Sequence, residues 1–213
     1  MYLYQTEVPK PVSSNADKVI DREEIESAEP IITSLVEAIE SRDPITASHC
    51  QRVSTLAELF GQFLGISTEE IRYLKWGGYL HDIGKIGIPD SILMKPGKLS
   101  GLEYEVMKKH TVIGERICQP LKPLRGILPI IRSHHERWDG TGYPDGLKGS
   151  SIPYLAQISQ FIDIYDSLTS ERPYKKACSK EEALEILWEE SDRGWRNPQL
   201  MKQFNQFALV INN

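Results

Sequence analysis

The chain is poor in the residues that would settle its class at once. Among 213 residues there are only three cysteines, Cys50, Cys118 and Cys178, and they stand far apart. No CxxC pair and no disulfide framework can be drawn from them, so a reducing, cytoplasmic setting is the simplest expectation. No apolar run approaches the length of a membrane span, and the start, MYLYQTEVPK, lacks an apolar run behind a basic one. Neither a membrane partner nor a signal peptide is expected. Cations are in deficit too, with a formal charge of -5. A protein that binds nucleic acid polymers usually shows a basic stripe, so that class is disfavoured. A small anionic ligand is not, because a few local cations are enough for one. Alternating apolar patterns of β-strand type and internal repeats are also missing.

Helical spacing is present instead. Ile32, Leu35, Val36 and Ile39 fit one helix face, as do Val53, Leu56, Ala57 and Phe60, and then Ile158, Phe161, Ile162 and Tyr165. Ser67-x-x-Glu70, Ser100-x-x-Glu103 and Ser179-x-x-Glu182 read as capping boxes, in which two side chains satisfy the free amides of a helix start. Asn197 before Pro198 reads as a cap and first helical position, followed by the stripe Leu200, Phe204, Phe207 and Ile211. The expected fold class is all-α, a single domain of six to eight helices over residues 28–213. Residues 1–27, polar and with two prolines, are expected to be an extension or linker. One long irregular stretch, DGTGYPDGLKGSSIP from Asp139 to Pro153, interrupts the pattern. Loops of that length in compact domains are usually functional.

Histidine is scarce as well, at five residues: His49, His81, His110, His134 and His135. Two are adjacent, and one directly precedes Asp82. Neutral imidazole nitrogen suits borderline transition ions, and a carboxylate can bridge two of them. On a helix, His81 and Asp82 would point about 100° apart and grip an ion from neighbouring directions. Lys85, three residues after Asp82, would project over the same face and meet a phosphate oxygen. Gly84 and Gly87 would let the chain pass closely. Asp163 lies between Ile162 and Ile164, where a buried carboxylate needs a partner or a metal. Each signal is weak alone, since a histidine is more often packed than ligating and a lysine is a solvated charge by default. Their combination is what points to a metal site handling phosphate.

In combination they resemble a known family. The segments DPITASHCQRV, YLHDIGKIGIPDSILMKPGKLS, MKKHTVIGERI, IIRSHHERWDGTGYPDGLKGSSIP and FIDIYDSLTSERPYKKACS match, in order and spacing, the HD-GYP domain, a subgroup of the HD phosphohydrolases. The resemblance runs from about residue 28 to the end of the chain. It implies an all-helical HD-type fold and a metal-dependent phosphodiesterase that hydrolyses cyclic di-GMP to pGpG, with GMP as a further product left open. By motif position it implies His49, His81, Asp82, His110, His134, His135 and Asp163 as metal ligands, with Asp82 bridging. Lys85, Arg172 and Lys175 would hold substrate phosphates, and Tyr143 on the GYP loop would face ligand or partner. Asp43 and Asp166 match acidic positions without an assigned role. Relatives with a third metal carry glutamate in a D-P-E-T pattern, and this chain has Ile45 in Asp43-Pro44-Ile45-Thr46. Two divalent ions, iron or manganese, are therefore expected. Lys85 and the bridging Asp82 would act in catalysis. The resemblance also suggests a diguanylate cyclase domain as a partner through the GYP loop. Two other functions stay open: a non-catalytic cyclic di-GMP receptor or docking domain, and a phosphohydrolase for another cyclic dinucleotide.

Overall fold

The computed structural model describes residues 22–171 and 176–211. Within them helices are the only regular structure and no strand forms. Ten α-helices follow one another: α1 (Arg22–Arg42), α2 (Pro44–Leu64), α3 (Thr68–Leu80), α4 (Asp90–Leu93), α5 (Gly101–Lys108), α6 (His110–Cys118), α7 (Leu128–Ser133), α8 (Tyr154–Thr169), α9 (Lys180–Asp192) and α10 (Pro198–Val210). Only α4 and α7, of 4 and 6 residues, are shorter than two full turns, so eight longer helices match the expected number. Helix α1 begins at Arg22, inside the stretch expected to be linker. That stretch runs DREEIE, which is rich in helix-favouring glutamate but has too few apolar residues to show a period. All three capping boxes form with both reciprocal bonds. Asn197 caps α10 by accepting from the amides of Gln199 and Leu200.

The apolar faces pack into two cores. One joins Val53, Ala57 and Phe60 of α2 to Phe161 and Ile162 of α8, Leu187 of α9, and Phe204 and Phe207 of α10. Phe60 meets the Phe204 ring edge-on at 5.2 Å and the Phe207 ring at 4.8 Å. The other joins Ile32 and Ile39 of α1 to Trp76, Leu80, Ile83, Leu124 and Ile127. Burying each such side chain stabilises the fold by about 1.5–3 kcal/mol. Three helices belong to both cores: α2, which adds Ala47 to the second, and α3 and α7. Helix α3 gives Leu74 to the first and Trp76 and Leu80 to the second, and α7 gives Ile130 to the first and Ile131 to the second. Helices α3 and α7 both end on a histidine, His81 and His134, each held on the seam between the two packed masses.

The chain leaves α3 differently from the helical expectation. The α-helix stops at Leu80, and Ile83–Gly87 forms a tighter 3-10 helix. In that winding residues three apart eclipse one another, which brings Lys85 over Asp82. Gly84 makes the turn possible: a β-carbon there would lie 1.8 Å from the His110 carbonyl oxygen and 2.5 Å from the Gly114 nitrogen. The missing side chain lets the turn after His81 lie flat on the start of α6, which carries His110. The guanidinium of Arg42, at the end of α1, donates to the carbonyls of Lys85, Ile86 and Ile88 and to the carboxylate of Asp90. A Gly84→Ala variant is expected to lose about 2–3 kcal/mol of stability by forcing these backbones apart. Chemical denaturation checks this, and an unchanged midpoint would contradict the close approach.

Candidate metal centre

Each histidine sits at or near a helix end, and each reaches the same interior. His49 is on α2, His81 caps α3, His110 opens α6, His134 caps α7 and His135 follows it. Asp163 comes from α8 and Asp82 from the turn after α3. The outer nitrogens of four of the five rings are claimed. Nδ1 of His81 donates to the Gly78 carbonyl at 2.9 Å, that of His110 to Met107 at 2.8 Å, and that of His134 to Ile131 at 2.9 Å. A carbonyl oxygen can only accept, so these rings carry their proton on Nδ1 when neutral and turn a bare Nε2 inward. Nδ1 of His49 faces Asp166 at 2.6 Å, and Arg52 grips the same carboxylate through Nε at 2.6 Å and Nη2 at 2.9 Å.

The inner atoms converge in two groups with Asp82 between them. His49 Nε2 lies 3.0 Å from Asp163 Oδ1, and His81 Nε2 lies 4.0 Å from the same oxygen. His110 Nε2 and His134 Nε2 are 3.3 Å apart. The ring centroids of His134 and His135 are separated by 4.1 Å. Asp82 directs Oδ1 to His110 at 3.4 Å and Oδ2 to His81 at 3.5 Å. The triads His49, His81, Asp163 and His110, His134, His135 each bring one donor atom per residue within 4.8 Å of the others. Cys50 also approaches His81 and Asp82, which the sequence gave no sign of. Its thiol is pushed well up by burial and by Asp82.

These residues fit cations. His81 Nε2 is buried without a hydrogen-bond acceptor or donor, an orphan that a metal would satisfy. His49 is pulled down by burial, yet its bonds to Asp163 and Asp166 outweigh this and raise it to about 9. A proton is thus held where a cation would stand between His49 and Asp163. Burial opposes the charge of Asp82, but Lys85 and the neighbouring imidazoles hold its carboxyl well below the usual range. Lys85 Nζ contacts Asp82 Oδ2 at 2.6 Å, so the lysine does meet the site, through the 3-10 turn.

The rest of the site comes from the loop after His135. Tyr143 packs inward, its ring stacked on His135 at 4.7 Å. The loop is anchored by Glu136, fully buried, whose carboxylate accepts from the amides of Asp145 at 2.7 Å and Leu147 at 2.9 Å. Arg132 clasps Asp145 from outside. Asp43, unassigned from sequence, accepts from the Thr46 amide at 3.2 Å at the start of α2. Arg172 and Lys175 lie outside the described residues. Arg52, Glu136 and Arg42 had no sequence signal beyond being charges near motif residues. One cavity of about 200 Å³ opens on Thr46, His49, Asp82, Lys85 and Ser167, and a second of about 290 Å³ opens on Tyr143 and neighbours. The two share His135 and Asp163 as a common wall.

The buried imidazoles set an acid limit on the metal-free protein. Burial and the neighbouring rings lower His135 to about 3, His134 well below its ordinary value and His110 in the same direction. The unfolded chain takes up these protons near pH 6.5 while the folded chain refuses them, so stability is lost as pH falls from 6.5 towards 3. His49 works in the opposite sense. Its contribution is complete below pH 6.5 and is lost as pH rises through about 9. With three depressed groups against one raised, acidification from pH 7 to pH 5 in chelator is expected to remove about 3–5 kcal/mol. That corresponds to a fall in Tm of roughly 10 °C, read by calorimetry; a Tm that is flat over this interval would contradict the neutral, buried cluster.

Comparison with known proteins agrees with this geometry. The HD domain family model matches residues 33–200. A cyclic di-GMP phosphodiesterase response regulator of Xanthomonas campestris is 44% identical over 165 residues, covering 76% of this chain and 43% of that protein. A cyclic di-GMP phosphodiesterase of Thermotoga maritima is 40% identical over 181 residues, covering 82% and 48%. A 3'3'-cGAMP-specific phosphodiesterase of Vibrio cholerae is 37% identical over 161 residues, covering 76% and 35%. The chain thus spans less than half the length of these curated relatives. Among solved structures, an HDG"Y"P protein of Bdellovibrio bacteriovorus superposes with a TM-score of 0.63 at 22% identity, covering 90% of this chain and 66% of that one. An HD domain of Listeria monocytogenes phosphodiesterase PgpH in complex with cyclic-di-AMP gives 0.62 at 19% identity, covering 83% and 94%. The fold, the histidine and aspartate cluster and the family match together show that the chain belongs to the HD domain family.

Proposed function

We propose that the chain is a metal-dependent phosphodiesterase that hydrolyses cyclic di-GMP to pGpG in the cytoplasm, using two divalent ions of iron or manganese. The observation that carries this reading is Asp82. Its two oxygens address separate groups of inward imidazoles, as a carboxylate shared by two ions would. His49, His81 and Asp163 would hold one ion and His110, His134 and His135 the other, with Asp82 common to both. Ions bound there would supply a water acidified toward neutrality and would offset charge on the attacking and leaving oxygens of a phosphodiester.

The chain's own residues do the rest. Lys85 keeps its proton: burial works against the charge, but Asp82 raises its affinity. Its ammonium therefore faces the smaller cavity as a cation, where it offsets charge growing on a phosphoryl oxygen. Asp166 and Arg52 hold His49 in one orientation, so that Nε2 and not Nδ1 is presented. Arg172 and Lys175 are the further phosphate contacts that the family resemblance proposes. The same resemblance proposes a diguanylate cyclase domain as a partner of the GYP loop, on which Thr141, Asp145 and Gly146 are exposed.

A second reading is supported by the Vibrio cholerae relatives named for 3'3'-cGAMP, at 33–37% identity. In that reading the same centre cuts a different cyclic dinucleotide. Anaerobic reconstitution with iron or manganese, followed by chromatography of cyclic di-GMP and 3'3'-cGAMP reactions, separates the two. The expected result is pGpG from cyclic di-GMP, with turnover reduced at least about a thousandfold in a His81→Ala, Asp82→Ala double variant. Intact nucleotide under every metal would favour a receptor, and equal turnover by the variant would refute the ligand assignment.

A further inference from the structure

The larger cavity has no role in the chemistry above, yet its walls are built for an anion. Arg196 lies on the connection between α9 and α10 and is only 7% exposed. Its Nε donates to Glu190 at 2.8 Å, while no protein partner is found for its two terminal nitrogens among the described residues. Arg196 and Arg137 both line the cavity. The Arg137 guanidinium sits over the Trp195 ring, 3.8 Å from its centroid, and no carboxylate makes an ion pair with it among the described residues. The stack is fixed from below, because the Trp138 amide donates to the Trp195 carbonyl at 3.0 Å and Asn197 donates to Gln157 at 2.9 Å. The connection after α9 is thereby tied both to the loop that begins at His135 and to α8. Lys108 adds a third cation, 5.5 Å above the Tyr104 ring and 5.6 Å from that of Tyr143, with its ammonium also on exposed Glu105.

A chain of net charge -5 thus gathers three cations and two aromatic rings around one opening. A desolvated guanidinium with free terminal nitrogens suits a planar pair of phosphate oxygens, and tyrosine faces suit a nucleobase. The opening shares only His135 and Asp163 with the cavity that holds Lys85. The site therefore has two lobes on either side of the candidate metal cage, and a cyclic dinucleotide has two phosphates and two bases. We propose that the Arg137–Arg196 lobe binds the half of a cyclic dinucleotide whose phosphate is not cut. The assignment of the ligand rests on the phosphodiesterase reading above.

The test is titration calorimetry of cyclic di-GMP into the metal-free protein in chelator, for wild type, Arg137→Gln, Arg137→Lys and Arg196→Gln. The expected result is measurable binding by wild type, weakened roughly ten- to a hundredfold by either glutamine variant and partly restored by Arg137→Lys. Arg196 is buried against Glu190, so its loss can loosen the fold. Arg137 is half-buried and stacked only on Trp195, and its variant decides the matter if Arg196→Gln melts early. No binding by the metal-free wild type, or equal binding by Arg137→Gln, would overturn the proposal. Ligand that binds through the arginines but stays uncut after reconstitution with metal would leave this lobe standing and remove the phosphodiesterase reading instead.

Discussion

The structure depends on what happens at the outer face of each imidazole. Backbone carbonyls of Gly78, Met107 and Ile131 and the carboxylate of Asp166 take the Nδ1 protons of four rings. The remaining nitrogens then have nowhere to point but at one another and at Asp82 and Asp163. Lone pairs and carboxylate oxygens crowded in a buried space repel unless positive charge sits among them. The protein holds them there nonetheless, because each is fixed by its own helix end. Cation binding is the chemistry that relieves this arrangement, and the raised proton affinity of His49 expresses the same need.

The scaffold explains how such a set can be held in place. Helices α3 and α7 each pack into both hydrophobic cores and each terminates at the centre, so His81 and His134 move only if both cores move. Gly84 closes the distance to α6 and His110, while Arg42 ties the end of α1 to the carbonyls around Lys85. Helix α1 therefore touches the residue next to the candidate chemistry. Buried Glu136 fastens the long loop by its backbone amides, and that loop in turn carries Tyr143 against His135. Rigid packing, glycine contacts and buried polar anchors here serve a single end, which is to keep donor atoms aimed inward.

Much of this was legible in the sequence. The capping boxes at Ser67, Ser100 and Ser179 form as written because they depend on residues three apart. The apolar stripes of α2, α8 and α10 are buried for the same local reason. The seven histidine and aspartate residues do meet, although the pattern could not say how, since their convergence depends on long-range packing. What escaped was of two kinds. The HDIGK stretch reads as helix by spacing but is a 3-10 turn, because the approach of α6 to Gly84 overrides local preference. Arg52 acts through Asp166, 114 residues on, and Arg137 and Arg196 act across a cavity, while Glu136 binds only backbone amides, which no side-chain pattern reveals. Arg196 sits in a stretch, GWRNP, that as a string reads only as a turn before a cap.

The central claim is that the buried cluster is a two-ion cage organised by Asp82. The most direct measurement is anomalous diffraction from crystals of the protein grown with manganese. The account predicts two anomalous peaks flanking Asp82, one among His49, His81 and Asp163 and the other among His110, His134 and His135. A single peak away from Asp82, or none within the cluster at saturating metal, would contradict it.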